Sequence, residues 1–299
     1  MHTPAWKICT VVLTGILAVS SASLFIRMAS APALTVAVYR VVIATTLLLI
    51  SHFLRKDRKR ETKKAPFPVI VGSGFCLAAH FAFWIASLDH TSVAVSVSLA
   101  NTSPIFVVLM SVFFLKEKPG LTFWVGLPAA IIGSICLVQS GTSYENGNIL
   151  GAGLAIAGAI TLAGYLLMGR YALKRMPFHS YILYVYGTAS IVLLILCVLL
   201  STPLKGFSAQ TYLYLILIGL IPQLIGHSAF NWALQHLPAF VVSVLILGEP
   251  MGATILAHLF LDEKISFSQA AGLAILGAGL VTCSLSAPTH SVDREIQTQ

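Results

Sequence analysis

AFVVSVLILGEPMGATILAHLFL, residues Ala239–Leu261, is apolar over its whole length apart from one acidic side chain and a few small or weakly polar ones. A helix needs roughly 20 apolar residues to cross a bilayer, so the stretch reads as a membrane span. Glu249 of the tetrad Leu247-Gly248-Glu249-Pro250 then falls near mid-membrane. Insertion scales put an acidic side chain there at about +2.5 to 3.5 kcal/mol, and a carboxylate kept at such depth points to function. Pro250 removes one helical hydrogen bond and frees the carbonyl of Ile246.

The stretch has a counterpart. Pro104 lies 146 residues before Pro250, and at that offset Leu88, His90, Val95, Leu99, Phe114, Leu115, Glu117, Lys118, Gly126 and Gly133 also find identical partners. Phe113-Phe-Leu-Lys-Glu-Lys118 returns as Leu259-Phe-Leu-Asp-Glu-Lys264. One residue further, at 147, His80 and Phe83 match His227 and Phe230. Apolar segments share identities by composition, but composition does not align proline, glutamate, lysine and two glycines in register.

The rest of the chain fits a membrane protein. It has 299 residues, 57% hydrophobic and 9% charged, against about 25% charged in soluble domains. The net charge of +8 does not indicate nucleic acid, because seven of the eighteen basic residues crowd into Arg55–Lys64, between two apolar spans. The five cysteines all sit in apolar segments, with no CxxC, so neither a disulfide framework nor a metal site is expected. Ile8–Ser23 is poor in flanking positive charge and continues into Phe25 and Ile26, so a first membrane helix is expected rather than a cleaved leader.

Apolar runs predict ten helices, near 6–26, 33–54, 66–88, 92–115, 121–139, 149–170, 179–201, 210–234, 239–261 and 267–286. With the N-terminus in the cytoplasm, fourteen basic residues fall inside and three (Arg27, Lys205 and Lys264) outside. That asymmetry predicts two cytoplasmic termini in a cell (inner) membrane protein. Five helices per half is an odd number, so the halves, 1–148 and 149–299, insert in opposite senses. The expected fold is all-α: ten transmembrane helices in two inverted five-helix repeats, an arrangement of secondary transporters with the substrate site near the midplane.

Two five-helix copies, each with a mid-helix proline followed by glutamate thirteen residues later, resemble the EamA family of the drug/metabolite transporter superfamily. Arg40, His80-Phe-Ala-Phe-Trp-Ile-Ala-Ser-Leu88, Ser103-Pro104, Gly226-His-Ser-Ala-Phe-Asn231-Trp-Ala-Leu234 and Leu247-Gly-Glu-Pro250 carry the likeness over nearly the whole chain. The resemblance implies export of amino acids and other metabolites, or import of small solutes, with the fifth and tenth helices peripheral. An arginine is usual in the second helix of a half; Arg40 supplies it in the first, and the seventh helix has none.

Several polar side chains are candidates for the work. Gln223, His227 and Asn231 recur at i, i+4 and i+8, which places them on one helix face. They line a cavity or form an interhelical hydrogen-bond seam, worth about 0.6 kcal/mol per bond. Ser73, His80, Trp84 and Ser87 make a similar stripe, with Trp84 either stacking on a solute or packing between helices. His80 and His227 are expected to flank one chamber from opposite sides. Ser103 stands in the first half where Glu249 stands in the second, and Pro104 and Pro250 break their helices. Glu249 enters the apolar interior protonated or paired with a cation; it and His227 are the candidates for proton coupling. Arg40 either anchors its helix by reaching to the outer interface or meets a substrate anion. Gly126/Gly133 and Gly272/Gly279, two turns apart, suit close helix packing.

The substrate-binding set is therefore His80, Trp84, Ser103, Gln223, His227, Asn231 and Glu249. No HExxH, GxSxG, paired-aspartate or GxxxxGK[ST] pattern occurs, so neither enzyme chemistry, a cofactor nor ATP-driven transport is expected. The expected function is alternating-access transport of a small organic metabolite, amino-acid or related metabolite efflux being the leading form. A lipid or nucleotide-sugar carrier, or a scaffold without flux, is the alternative. The partners are the small-molecule substrate and the bilayer, with a homodimer possible and no nucleic acid.

Overall fold

The computed structural model describes residues 3–54, 66–91, 93–139, 149–261 and 264–286. The basic run Arg55–Lys64, Glu263, and the tail from Pro288 with Arg294 lie outside the described residues, so the charge asymmetry rests on the sequence.

Among the described residues the structure is helical throughout, with no strand. The helices are α1 (Ala5–Ala29), α2 (Ala33–Leu54), α3 (Phe67–His90), α4 (Val93–Ala100), α5 (Ser103–Met110), α6 (Leu121–Gln139) and α7 (Ile149–Leu173). There follow α8 (Phe178–Leu199), α9 (Ala209–Ile218), α10 (Ser228–Ala233), α11 (Ala239–Ile246), α12 (Gly248–Leu261) and α13 (Phe267–Ser284). Proline fixes several starts: Pro66, Pro177 and Pro238 hold extended or near-extended N-cap backbones ahead of α3, α8 and α11. At α13, Ser266 and Gln269 form a capping box.

Among the described residues nine stretches are long and apolar enough to cross a membrane. The tenth helix, α6, has a shorter apolar run, Leu121–Leu137, with Pro128 inside it. Large aliphatic side chains at mid-helix face outward, such as Leu17 at 61% and Ile195 at 54% exposure, as expected where lipid rather than water is the solvent. The protein is thus a multi-pass, all-α membrane protein.

Three spans depart from regular helices. The fourth breaks at Asn101-Thr102, two residues before Pro104, and resumes as α5, ending in a π-helical turn at Ser111–Leu115. The ninth breaks at Leu247, and α12 resumes at Gly248 with Pro250 in its first turn. The eighth span, expected as one regular helix, is π-helical over Gly219–His227, with Pro222 inside. Proline lacks the donor that would continue the α ladder, and a π segment absorbs the offset.

The spans pack across the halves. α3 lies on α7 and α8, while the α9–α10 span lies on α1 and α2. α5 lies on α7, and α12 on α1. Exchange of the first and second five helices maps each of these contacts onto the other. α6 and α13 pack chiefly on each other, at the periphery. Their contact needs glycine: a Cβ on Gly133 would run into the Leu276 backbone, and one on Gly279 into that of Ala130.

Candidate functional site

The broken fourth and ninth spans border a cavity of about 320 Å³ with α1, α2, α3 and the eighth span. Two further glycines seat Glu249 there. Gly248 lies against Ile16 and Gly252 against Ser20, so α1 approaches α12 closely. The Ser20 hydroxyl donates to the Glu249 carbonyl at 3.0 Å and to the Ile16 carbonyl at 2.7 Å. This fixes the backbone of the acidic residue while its side chain borders the cavity.

His80, Trp84, Ser103, His227 and Glu249 of the expected set all line this cavity. The His80 and Trp84 rings lie parallel, 4° apart in plane, with centroids 6.3 Å apart. His80 Nδ1 is 2.9 Å from the Gly158 carbonyl oxygen. A carbonyl only accepts, so Nδ1 carries a proton, and when the ring is neutral Nε2 is the acceptor. The Phe81 ring stands between the histidines, 5.3 Å from His80 and 5.9 Å from His227, centroid to centroid.

Gln223 and Asn231 do not line the cavity. Both are buried, and both hold other groups in place. Asn231 Nδ2 donates to the Tyr165 hydroxyl, to the Tyr186 hydroxyl at 3.2 Å and to the His227 carbonyl at 3.0 Å. It is the hydrogen-bonded seam among the readings of that stripe. Gln223 Oε1 accepts from Arg40 Nε at 2.7 Å. Ser73 is likewise spent on packing, 2.8 Å from the Tyr181 hydroxyl.

Arg40 does not reach for the interface. It is only 5% exposed, borders the cavity and places its Cζ 4.8 Å from the centre of the Phe81 ring. This is the residue that the sequence reading left out of the binding set. The signals available were its depth within the second span and the arginine usual there in the family that the chain resembles. Tyr165 and Tyr186 also went unnoticed, although a buried tyrosine hydroxyl requires a partner.

The two ends of the cavity differ. It extends to Lys264, Ile265 and Gln269, where α12 joins α13, and Lys264 is exposed. At the opposite end of the bundle Arg170 and Glu117 form a partly buried ion pair, Nε to Oε1 at 3.3 Å. Arg170 Nη1 also donates to the Leu234 carbonyl, at the C-terminus of α10. Glu117 Oε2 accepts from Ala239 N, at the N-terminus of α11, at 3.3 Å. Each charge thus meets the helix end of opposite partial charge. The ring of His236, in the linker between those helix ends, lies against Trp232 with centroids 4.3 Å apart and planes tilted by 55°. Partial burial, then the nearby Arg170 and Lys7 charges, hold its pKa below the ordinary 6.5.

A shallow groove along Leu194, Ile195, Val198 and Leu199 is wholly aliphatic and belongs to the lipid-facing surface. No cluster of three or more potential metal ligands occurs among the described residues.

Comparison with known proteins matches the EamA-like transporter family twice, over residues 6–139 and 149–285. An uncharacterized transporter of Bacillus subtilis (strain 168) is 25% identical over 268 residues, covering 85% of each chain. The pseudopaline exporter CntI of Pseudomonas aeruginosa (strain UCBPP-PA14) is 25% identical over 217 residues, covering 72% of this chain and 73% of its own. A solved crystal structure superposes with a TM-score of 0.81 at 19% identity, over 94% of this chain and 98% of its own. That likeness establishes the fold.

Proposed function

The chain belongs to the EamA-like transporter family and is a membrane transporter, and from that premise we propose that it exports a small organic metabolite by alternating access. The observation carrying this reading is the asymmetric cavity. It reaches one surface at Lys264, while at the opposite end of the bundle the Arg170–Glu117 pair ties neighbouring segments together. A central chamber open to one side is one half of an alternating-access cycle. The halves 1–148 and 149–299 act as the two inverted repeats. Exchange of their packing partners is the motion that would close the Lys264 end and open the other. With both termini cytoplasmic in the cell membrane, the open end faces outward, the releasing state of an exporter.

An amino acid or closely related metabolite is the substrate class we favour. The chamber combines a cation, a carboxyl group, two imidazoles and an aromatic wall, which suits a compact polar solute. That a relative is named for export of the metabolite pseudopaline supports the direction. The charged and imidazole groups in the chamber lining favour a polar solute over a lipid.

The test is flux in proteoliposomes loaded with a panel of amino acids and metabolites. Counterflow of at least one panel member, lost in a Trp84→Ala/Glu249→Ala double variant, is the expected result. Lipid scrambling without solute flux would replace this reading with the lipid carrier, and no flux of either kind would leave a scaffold.

A further inference from the structure

Arg40 is a cation inside the membrane with most of its hydrogen-bonding capacity unspent. A guanidinium carries five N–H donors in a rigid fork. One of them, on Nε, goes to Gln223 Oε1. Gln223 is itself fully buried at 0% exposure, and the Phe81 ring backs the guanidinium. These two contacts aim the side chain without occupying its Nη nitrogens, which have no hydrogen-bond partner among the described residues. Arg40 borders the cavity, so the free edge of the fork faces space a solute can enter.

Glu249 lies on the same cavity. They form no ion pair among the described residues, where the one bridge between side chains of these types is Arg170–Glu117. Two opposite charges that share a cavity without meeting leave a place for a solute carrying both complements. We propose that Arg40 binds the carboxylate of the solute through its Nη fork, and that Glu249 binds the ammonium group of the same solute. Gln223 and Phe81 are positioning residues for Arg40.

The chemistry favours a zwitterion over a single charge. A carboxylate matches the guanidinium edge with two parallel hydrogen bonds. A plain anion would satisfy Arg40 but offer nothing to Glu249. A plain amine would do the reverse beside Arg40. The remaining lining is suited to the body of the solute: Trp84 offers a ring face and His80 Nε2 a single acceptor.

This inference rests on the export reading above and specifies how its site holds the solute. It is tested by calorimetry on the purified full-length protein with two triplets of probes. One is L-tryptophan, tryptamine and indole-3-propionate; the other is L-leucine, 3-methylbutylamine and 4-methylpentanoate. In the unaltered protein at least one amino acid should bind tenfold or more tighter than both of its fragments. Arg40→Gln should lower amino-acid affinity to that of the amine, leaving the amine unchanged or improved. Glu249→Gln should lower it to that of the acid. Arg40→Lys, which keeps the charge but not the fork, should lose most of the preference and supplies the test if Arg40→Gln does not fold. The assignment is overturned if the fragments bind as tightly as the amino acids or none of the probes binds. It is equally overturned if both Arg40 variants keep the preference. Flux of some other metabolite in the liposome panel, together with any of those outcomes, leaves the export reading standing without the zwitterion site.

Discussion

At the scale of single residues, Gln223 and Asn231 make contrasting predictions although they stand on one stripe. Gln223 holds a buried guanidinium. In Gln223→Leu the Arg40 Nε loses its partner, and a buried charged donor left unpaired costs about 1.5 to 3 kcal/mol. We expect stability in detergent to fall by that order and amino-acid affinity to fall with it, both read on the same preparation. Asn231 joins α10 to Tyr165 of α7 and Tyr186 of α8. Asn231→Leu should cost about 0.6 to 1.7 kcal/mol per bond, the range measured for membrane hydrogen bonds. Selectivity among the probe triplets should be unaltered. A change in selectivity in Asn231→Leu would mean that the asparagine faces the solute.

At the scale of elements, the α6–α13 contact and the α10–α11 linker are the informative ones. Gly133 and Gly279 let the two peripheral helices touch backbone to backbone. Overpacking costs typically 1 to 3 kcal/mol, and here the obstructing atoms are main chain, which cannot rotate aside. Gly133→Leu should therefore separate α6 from α13 and lower the melting temperature. Gly153, whose Cβ would meet nothing within 4 Å, should accept alanine without loss. The linker responds to pH through His236. Its pKa lies below 6.5 because burial and the Arg170 and Lys7 charges disfavour the cation; Glu117 and Trp232 also lie beside the linker. A base whose folded-state pKa is depressed contributes stability that is present above the unfolded value and lost as pH falls through the folded one. Amide exchange in Leu234–Pro238, corrected for its intrinsic pH dependence, should thus show more opening below pH 6.5. His236→Gln should remove that acid response. An identical profile in the variant would assign the response to another group.

At the scale of the whole molecule, the Arg170–Glu117 pair holds three segments together at the end of the bundle away from Lys264. Removing one partner of this partly buried pair leaves the other without its counter-charge. Glu117→Gln or Arg170→Gln should shift the population toward opening at that end. A cysteine at Leu166 reports it, because Leu166 lies one turn from cavity-lining Leu162 and one turn before Arg170. In a background without the five native cysteines, a membrane-impermeant maleimide applied from the Arg170 side should label Leu166→Cys slowly. Either single variant should raise the rate on the order of tenfold, and the exchanged pair Glu117→Arg/Arg170→Glu should bring it back down. Equal labelling in all four proteins would remove this pair from the closing mechanism.

The amino-acid order alone placed the apolar runs and the breaks beside Pro104 and Pro250, though not the π-helical stretch at Gly219–His227. Hydrocarbon thickness sets the length of an apolar run, and proline acts on its own helix, so both are local properties that can be read along the chain. The repeat and Glu249 were equally legible, because a carboxylate in lipid stands out whatever surrounds it. Which polar side chain reaches the chamber was settled by neighbours. In a soluble bundle the apolar stripe marks the inner face, but in lipid all faces of a span are apolar and no such contrast exists. His227 turned to the cavity while Gln223 and Asn231, on the same stripe, turned to Arg40 and to two tyrosines. Arg40, from its position within reach of the interface, could have anchored α2. Only the approach of Gln223 and Phe81 from other spans holds it inward, where its charge meets the space opposite Glu249.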